Sequence, residues 1–308
     1  MTHETTAAVV RIVVSGRTYR YGQLDNRDEA RAMLSVALAS SWWPARVTSF
    51  AITPGGFVRA RLPRDYTGRR GWDTRKSDLR RLFPYAEEAI RAVICGDILD
   101  LARNRARFLT LGVDLNVERH KEERIRPGHD CRLTCPRACT HAELVAVFDT
   151  ASARVIRWTG KSYPTDGQQH TLVHEKDLGS HLLNVDSERI LVLGCHDLHL
   201  FSNRGRPSVS GPTRKEILSQ RMLELAQEFE PTMILHHPHS TYSPKVWLGA
   251  WGATRSALPS ARIWASGLAF CGNPKSKHDW QPQQTLEATR AATASKFAVF
   301  DVVTKGYE

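Results

Sequence analysis

The segment Ile190-Leu191-Val192-Leu193-Gly194-Cys195-His196-Asp197-Leu198-His199-Leu200-Phe201 changes character abruptly at its glycine. Four consecutive aliphatic residues read as a short, fully buried strand. The polar side chains that follow are costly at a strand end unless they are paired or open into a site. A thiol in that position, just after a glycine, projects from a rigid strand into a cleft. Free cysteines are more often simply buried, but His196, Asp197 and His199 make this neighbourhood a chemical one. A second apolar strand, Thr232 to Leu235, runs in the same way into His236-His237-Pro238-His239.

Outward from these two strands, short apolar runs alternate with amphipathic segments. Strands are expected at Val9 to Val14, Val47 to Ile52, Phe108 to Val117, Arg262 to Ser266 and Phe297 to Val303. Helices are expected at Asp28 to Ser40, Tyr85 to Asn104, Lys215 to Phe229 and Val246 to Leu258, each with apolar residues at helical spacing. Glu143 to Phe148 and Arg154 to Trp158, joined by Asp-Thr-Ala-Ser-Ala, read as a hairpin. Strand and helix in alternation point to a layered α/β fold, whose active groups sit where strands end. Residues 119–141, rich in charge, proline and cysteine, read as an insertion into a single domain spanning 1–308.

Composition excludes several classes. The 308 residues are 41% hydrophobic and 24% charged, an ordinary globular balance rather than a disordered one. No apolar run approaches the ~20 residues of a membrane span, and the first residues do not form a secretory signal. Six cysteines are too few for a disulfide scaffold at this length, which places the chain in a reducing cytoplasm. The net charge of +11 raises the possibility of an anionic partner such as nucleic acid. The densest groups are Arg59, Arg61, Arg64, Arg69, Arg70 and then Arg75, Lys76, Arg80, Arg81, the latter around an apolar helix face.

Around Cys195 the sequence resembles the carbon–nitrogen hydrolase family, the nitrilase superfamily. Cys195, Asp197 and Phe201 match that family's nucleophile motif, with Ser202 where a proline is usual. Lys161, after the hairpin and 34 positions before Cys195, matches the family lysine. The order of elements over residues 9–270 fits as well. The resemblance implies an α-β-β-α sandwich, a homodimer, and a small amide or nitrile substrate, with no cofactor needed. It implies a Cys-dependent hydrolase or acyl transferase working through a thioester. Cys195 attacks the carbon; Lys161 and the His196 N–H stabilise the developing oxyanion.

One departure is chemical. The family's general-base Glu falls at Gly55, in Ile52-Thr53-Pro54-Gly55-Gly56-Phe57. A general base contributes ~10²–10⁴ in rate, so another group must act or the protein is a catalytically inactive binder. Asp114 and Glu118, at the end of a strand, and Glu175, between Lys161 and Cys195, are candidate carboxylates. His196 and His199 are candidate imidazole bases. His196, His199, His237 and His239 are also expected to line the substrate pocket.

Two metal readings stand beside this one. The strand-end histidines with Asp114 and Asp197 contain the donor types of a metal-dependent hydrolase. Within the insertion, Cys131, Cys135, Cys139 and His141 supply enough ligands for a structural zinc, although the spacing is not the common Cys-x2-Cys. The motif-like Gly96-Asp97-Ile98-Leu99-Asp100 falls inside a helical pattern and is read as structural, as is Trp42-Trp43.

Overall fold

The computed structural model describes residues 8–15, 25–63, 65–116, 140–165, 168–202, 213–239, 244–270 and 299–305. Among these, the strands form an eight-stranded and a four-stranded sheet. The larger sheet contains β1 (Val9–Ser15), β2 (Thr48–Ile52), β3 (Val58–Arg61), β4 (Ala106–Asn116), β5 (His141–Asp149), β6 (Arg154–Gly160), β11 (Leu268–Phe270) and β12 (Val299–Lys305). The smaller is ordered β10 (Ile263–Ser266), β9 (Met233–His236), β8 (Glu188–Leu193), β7 (Leu182–Val185).

Period-two alternation sorts the apolar residues into layers. Phe50, Ile52, Phe108, Val145 and Val147 of the larger sheet meet Ile190, Val192, Met233, Leu235 and Ile263 of the smaller one in a core between the sheets. The opposite face of the larger sheet, with Val10, Ile12, Leu109 and Leu111, is covered by α1 (Arg27–Ala39), α3 (Phe83–Val93) and α4 (Asp97–Arg105). The opposite face of the smaller sheet, with Leu191, Leu193 and Ile234, is covered by α5 (Arg214–Phe229) and α6 (Pro244–Ala257). A short helix, α2 (Lys76–Arg80), precedes α3. The result is the four-layer α-β-β-α sandwich.

The hairpin of β5 and β6 forms as expected, antiparallel with an irregularity between Val147 and Phe148. One reading needs correction. The long helix over Tyr85 to Asn104 is two helices, because Gly96 turns the chain at φ +53 before α4. Residues 197–201 form a 3₁₀ turn after β8. The short strands β3, β7 and β11 carry too few residues to show a period.

These short strands create the site. At Ile52 β2 ends, and its two neighbours acquire new partners: β11 pairs with β1 at Val13–Ser15, and β3 pairs with β4 at Val58–Arg61. Pro54-Gly55-Gly56 lies in the opening between them. The chain leaving β9 packs into it, with the Gly55 N–H donating to the Pro238 carbonyl at 3.0 Å.

Candidate active site

Along the inner face of the larger sheet, apolar residues give way to carboxylates near the strand ends. On β4 the sequence Phe108, Thr110, Gly112 leads to Asp114; on β5, Val147 and Val145 lead to Glu143. Asp114 and Glu143 stand directly opposite each other in the antiparallel register. Two buried like charges in that relation repel, so cations have to lie beside them. Lys161, just after β6, places Nζ 3.1 Å from Glu143 Oε1 and 3.0 Å from Oε2. His239, beyond β9, donates from Nε2 to Asp114 at 2.9 and 3.0 Å and sets Nδ1 3.5 Å from Glu143 Oε2. Gln168 Nε2 also donates to Glu143 Oε1, at 2.5 Å.

Cys195 is brought to this group by the end of β8. The backbone N–H of His239 donates to its sulfur at 3.3 Å. Asp197 ties the cysteine loop to the lysine loop. One oxygen accepts from the Ser162 and Tyr163 N–H groups at 3.0 and 2.8 Å, the other from the Gly194 N–H at 2.9 Å. A carboxylate satisfied by three backbone donors on two loops fixes the relative position of Lys161 and Cys195. His236 adds a further tie, with Nε2 donating to the Cys195 carbonyl at 2.8 Å and Nδ1 meeting Ser266 Oγ at 2.8 Å.

The charge states follow from these partners. Burial disfavours ionised Glu143, but Lys161 and then His239 outweigh it and hold the carboxyl well below its ordinary range. Burial likewise opposes charge on Lys161; Glu143 and then Cys195 raise it above the usual lysine value. For His239 burial is again overcome, by Asp114, Glu143 and Cys195 in that order, and the imidazole is held well above its ordinary range. His236 and His237 bond to a hydroxyl and to carbonyls instead of carboxylates. Burial drives His236 down to about 3 and His237 to about 4, and lowers His196, which Lys161 lowers further.

The candidates divide accordingly. Asp114, Lys161, Cys195 and His239 meet in one place. Glu175 does not join them: its Oε1 accepts the Asp177 N–H at 2.6 Å, capping the turn that follows, and only its backbone N–H touches Lys161, at the carbonyl. His196 and His199 stack on Trp247 at 5.5 and 5.9 Å between ring centroids, nearly parallel to it. His237 is spent in holding the loop, donating from Nδ1 to the Thr53 carbonyl at 2.7 Å. Glu118, Cys131, Cys135 and Cys139 lie outside the described residues. His141 is described, with Nε2 3.2 Å from Gln168 Nε2 and 3.6 Å from Glu143.

Sequence reasoning missed Glu143, which it read only as the start of a strand. The available signal was a lone carboxylate inside the apolar run Ala142 to Phe148. It also missed Trp247 as the partner of the two histidines. Among the described residues no set of three or more His, Cys, Asp or Glu side chains is arranged to hold a metal ion. The imidazoles of the strand ends point to separate partners: Ser266 and Cys195, Thr53, and Asp114. The Arg-rich stretch is not a continuous exposed patch, since Arg59 is buried with Nε donating to the Gly56 carbonyl. No helix among the described residues is long and apolar enough to cross a membrane.

Neither protein-family models nor curated protein sequences give a match to this chain. Among solved structures it is similar to an amidase from Nesterenkonia sp. AN1 in complex with acrylamide. That likeness has 11% identity and a TM-score of 0.48, and covers 89% of this chain and 79% of the other. Another form of that amidase, described as from the nitrilase superfamily, gives 12% identity and a TM-score of 0.47 over 87% and 78% of the two chains. A glutamine-dependent NAD+ synthetase from Acinetobacter baumannii gives 11% identity and a TM-score of 0.39 over 76% of this chain and 34% of that one.

Proposed function

We propose that this protein is a cysteine hydrolase of carbon–nitrogen bonds, acting on small amides through a thioester at Cys195. The observation that carries the reading is a meeting at the ends of five strands: Cys195 beside a buried Lys161–Glu143 ion pair and a buried His239–Asp114 pair. A structural core has no use for two ion pairs and a thiol together, because each buried charge costs free energy that apolar packing would not.

The chemistry follows from the placement. The Cys195 sulfur attacks the amide carbon, and the carbonyl electrons move onto oxygen. Lys161 Nζ and the His196 N–H donate to that oxygen, the group whose charge grows most in the transition state. Glu143 is the fixed counter-ion that keeps Lys161 in place and charged. The carbon–nitrogen bond breaks as nitrogen takes up a proton, and water then cleaves the thioester, releasing the acid and freeing Cys195. The sequence resemblance to the carbon–nitrogen hydrolases supports the same order of events.

The test is ammonia release from a panel of short aliphatic and aromatic amides, with acid-quenched protein analysed by mass. Wild type is expected to release ammonia and to carry the acyl group on the peptide containing Cys195. Cys195→Ala is expected to lose both while keeping its circular dichroism spectrum. Undiminished turnover by Cys195→Ala refutes the covalent route.

A further inference from the structure

We propose that His239, oriented by Asp114, is the proton donor and acceptor of this site. The inference deepens the hydrolase reading and rests on it. Three observations carry it. First, His239 is the titratable side chain whose own backbone N–H touches the Cys195 sulfur, at 3.3 Å. Second, its Nε2 is fixed on both oxygens of Asp114 while Nδ1 lies 3.5 Å from Glu143 Oε2, and Nδ1 is the nitrogen assigned to proton exchange. An imidazole oriented by a carboxylate is the base half of the arrangement that activates cysteine and serine nucleophiles, and Cys195 is among the charges that act on this ring. Third, the chain leaving β9 packs closely on Gly55. A Cβ there would lie 2.7 Å from the His237 carbonyl oxygen, 3.0 Å from His239 Nδ1 and 3.1 Å from its Cε1. Glycine at position 55 thus leaves room for this segment, the imidazole included.

Glu143 is the rival within the cluster, and its surroundings argue against it. Lys161 and Gln168 both donate to it, and His239 faces it, so its lone pairs are engaged and its proton affinity is low. Asp114 is turned wholly onto Nε2. His236 bonds to a hydroxyl and a carbonyl, and at His196 burial and Lys161 outweigh the favourable influence of Glu143.

The cycle balances with His239 alone. In the resting site it is an imidazolium. When the tetrahedral intermediate collapses, the carbon–nitrogen bond breaks and the leaving nitrogen takes the Nδ1 proton, departing as ammonia. Neutral His239 then accepts a proton from water as the oxygen attacks the thioester. The carbon–sulfur bond breaks, the acid leaves, and thiolate and imidazolium are restored.

The experiment compares two leaving groups in His239→Ala and His239→Gln. An amide nitrogen needs a proton to leave; the phenolate of p-nitrophenyl acetate does not. Ammonia release from an amide is expected to fall by ~10²–10⁴ in both variants. The stoichiometric burst of p-nitrophenolate is expected to persist, and added imidazole to restore part of the amide turnover of His239→Ala. Amide turnover at the wild-type level in either folded variant overturns the proposal while leaving the hydrolase reading intact. Loss of amide turnover and burst together in folded His239→Gln also overturns it, since that is what a purely structural histidine does. A wild-type protein that releases no ammonia from any amide overturns the hydrolase reading itself, and this assignment with it.

Discussion

At the scale of single residues, the site shows how one environment yields opposite ionisation. His239 and His237 are two positions apart and both buried, yet Asp114 keeps the first charged while a carbonyl partner leaves the second neutral. That difference has a thermodynamic consequence. His237 is held down at about 4 in the fold, against an ordinary value of 6.5, chiefly by burial and in spite of its bond to the Thr53 carbonyl. A lowered folded value means that the unfolded chain binds the proton first. The stability that neutral His237 contributes is therefore whole above pH 6.5 and is lost as pH falls toward 4. By pH 5 this single group costs about 2 kcal/mol. His237→Asn keeps an N–H for Thr53 and removes the titration. Denaturant unfolding at pH 7 and pH 5 is expected to show a pH difference smaller by about 2 kcal/mol in the variant. An unchanged difference would mean that His237 is not buried in its neutral form.

Elements position these residues, and they were unevenly legible. β8 and β9 were readable because a fully apolar run ending in polar residues has one economical interpretation. The helix after Phe83 was not: Ala89, Val93, Ile98 and Leu101 keep a helical period across a break that only backbone conformation reveals. Gly96 adopts φ +53 and ψ −128, a region that suits glycine alone, and α4 starts anew after it. A Cβ there would meet nothing within 4 Å, so steric crowding plays no part. Gly96→Ala is thus expected to destabilise by about 1–3 kcal/mol through strain alone. In a continuous helix the same change would stabilise by about 1 kcal/mol. The sign of the shift in urea midpoint distinguishes the two. Glu143 escaped notice for a related reason. A carboxylate within an apolar strand is unremarkable in one dimension, and its meaning appears only once the β4–β5 register sets it against Asp114.

For the whole molecule, the order of strands and helices in the sequence was enough to indicate a layered α/β fold, whereas the α-β-β-α stacking of its layers came from the family resemblance. The meeting of the two sheets at the end of β2 was not readable. It depends on β3 and β11, each of four residues or fewer, and on a backbone contact between Gly55 and Pro238. A second long-range tie holds the final strand. Arg11 on β1 is fully buried on the inner face, opposite Asp301 of β12, and donates to it twice, at 2.6 and 3.0 Å. The two residues are 290 positions apart, so this pair closes the larger sheet across nearly the whole chain. Breaking a buried pair leaves one charge uncompensated, at a cost of about 3–5 kcal/mol, whereas replacing both partners by apolar residues is often near neutral. Asp301→Leu is therefore expected to lower unfolding stability by about 3–5 kcal/mol, and Arg11→Met combined with Asp301→Leu to recover most of that loss. Guanidinium unfolding of the single and double variants checks it. A single variant as stable as wild type would mean that β12 is held by its backbone ladder and apolar contacts, with the ion pair contributing nothing.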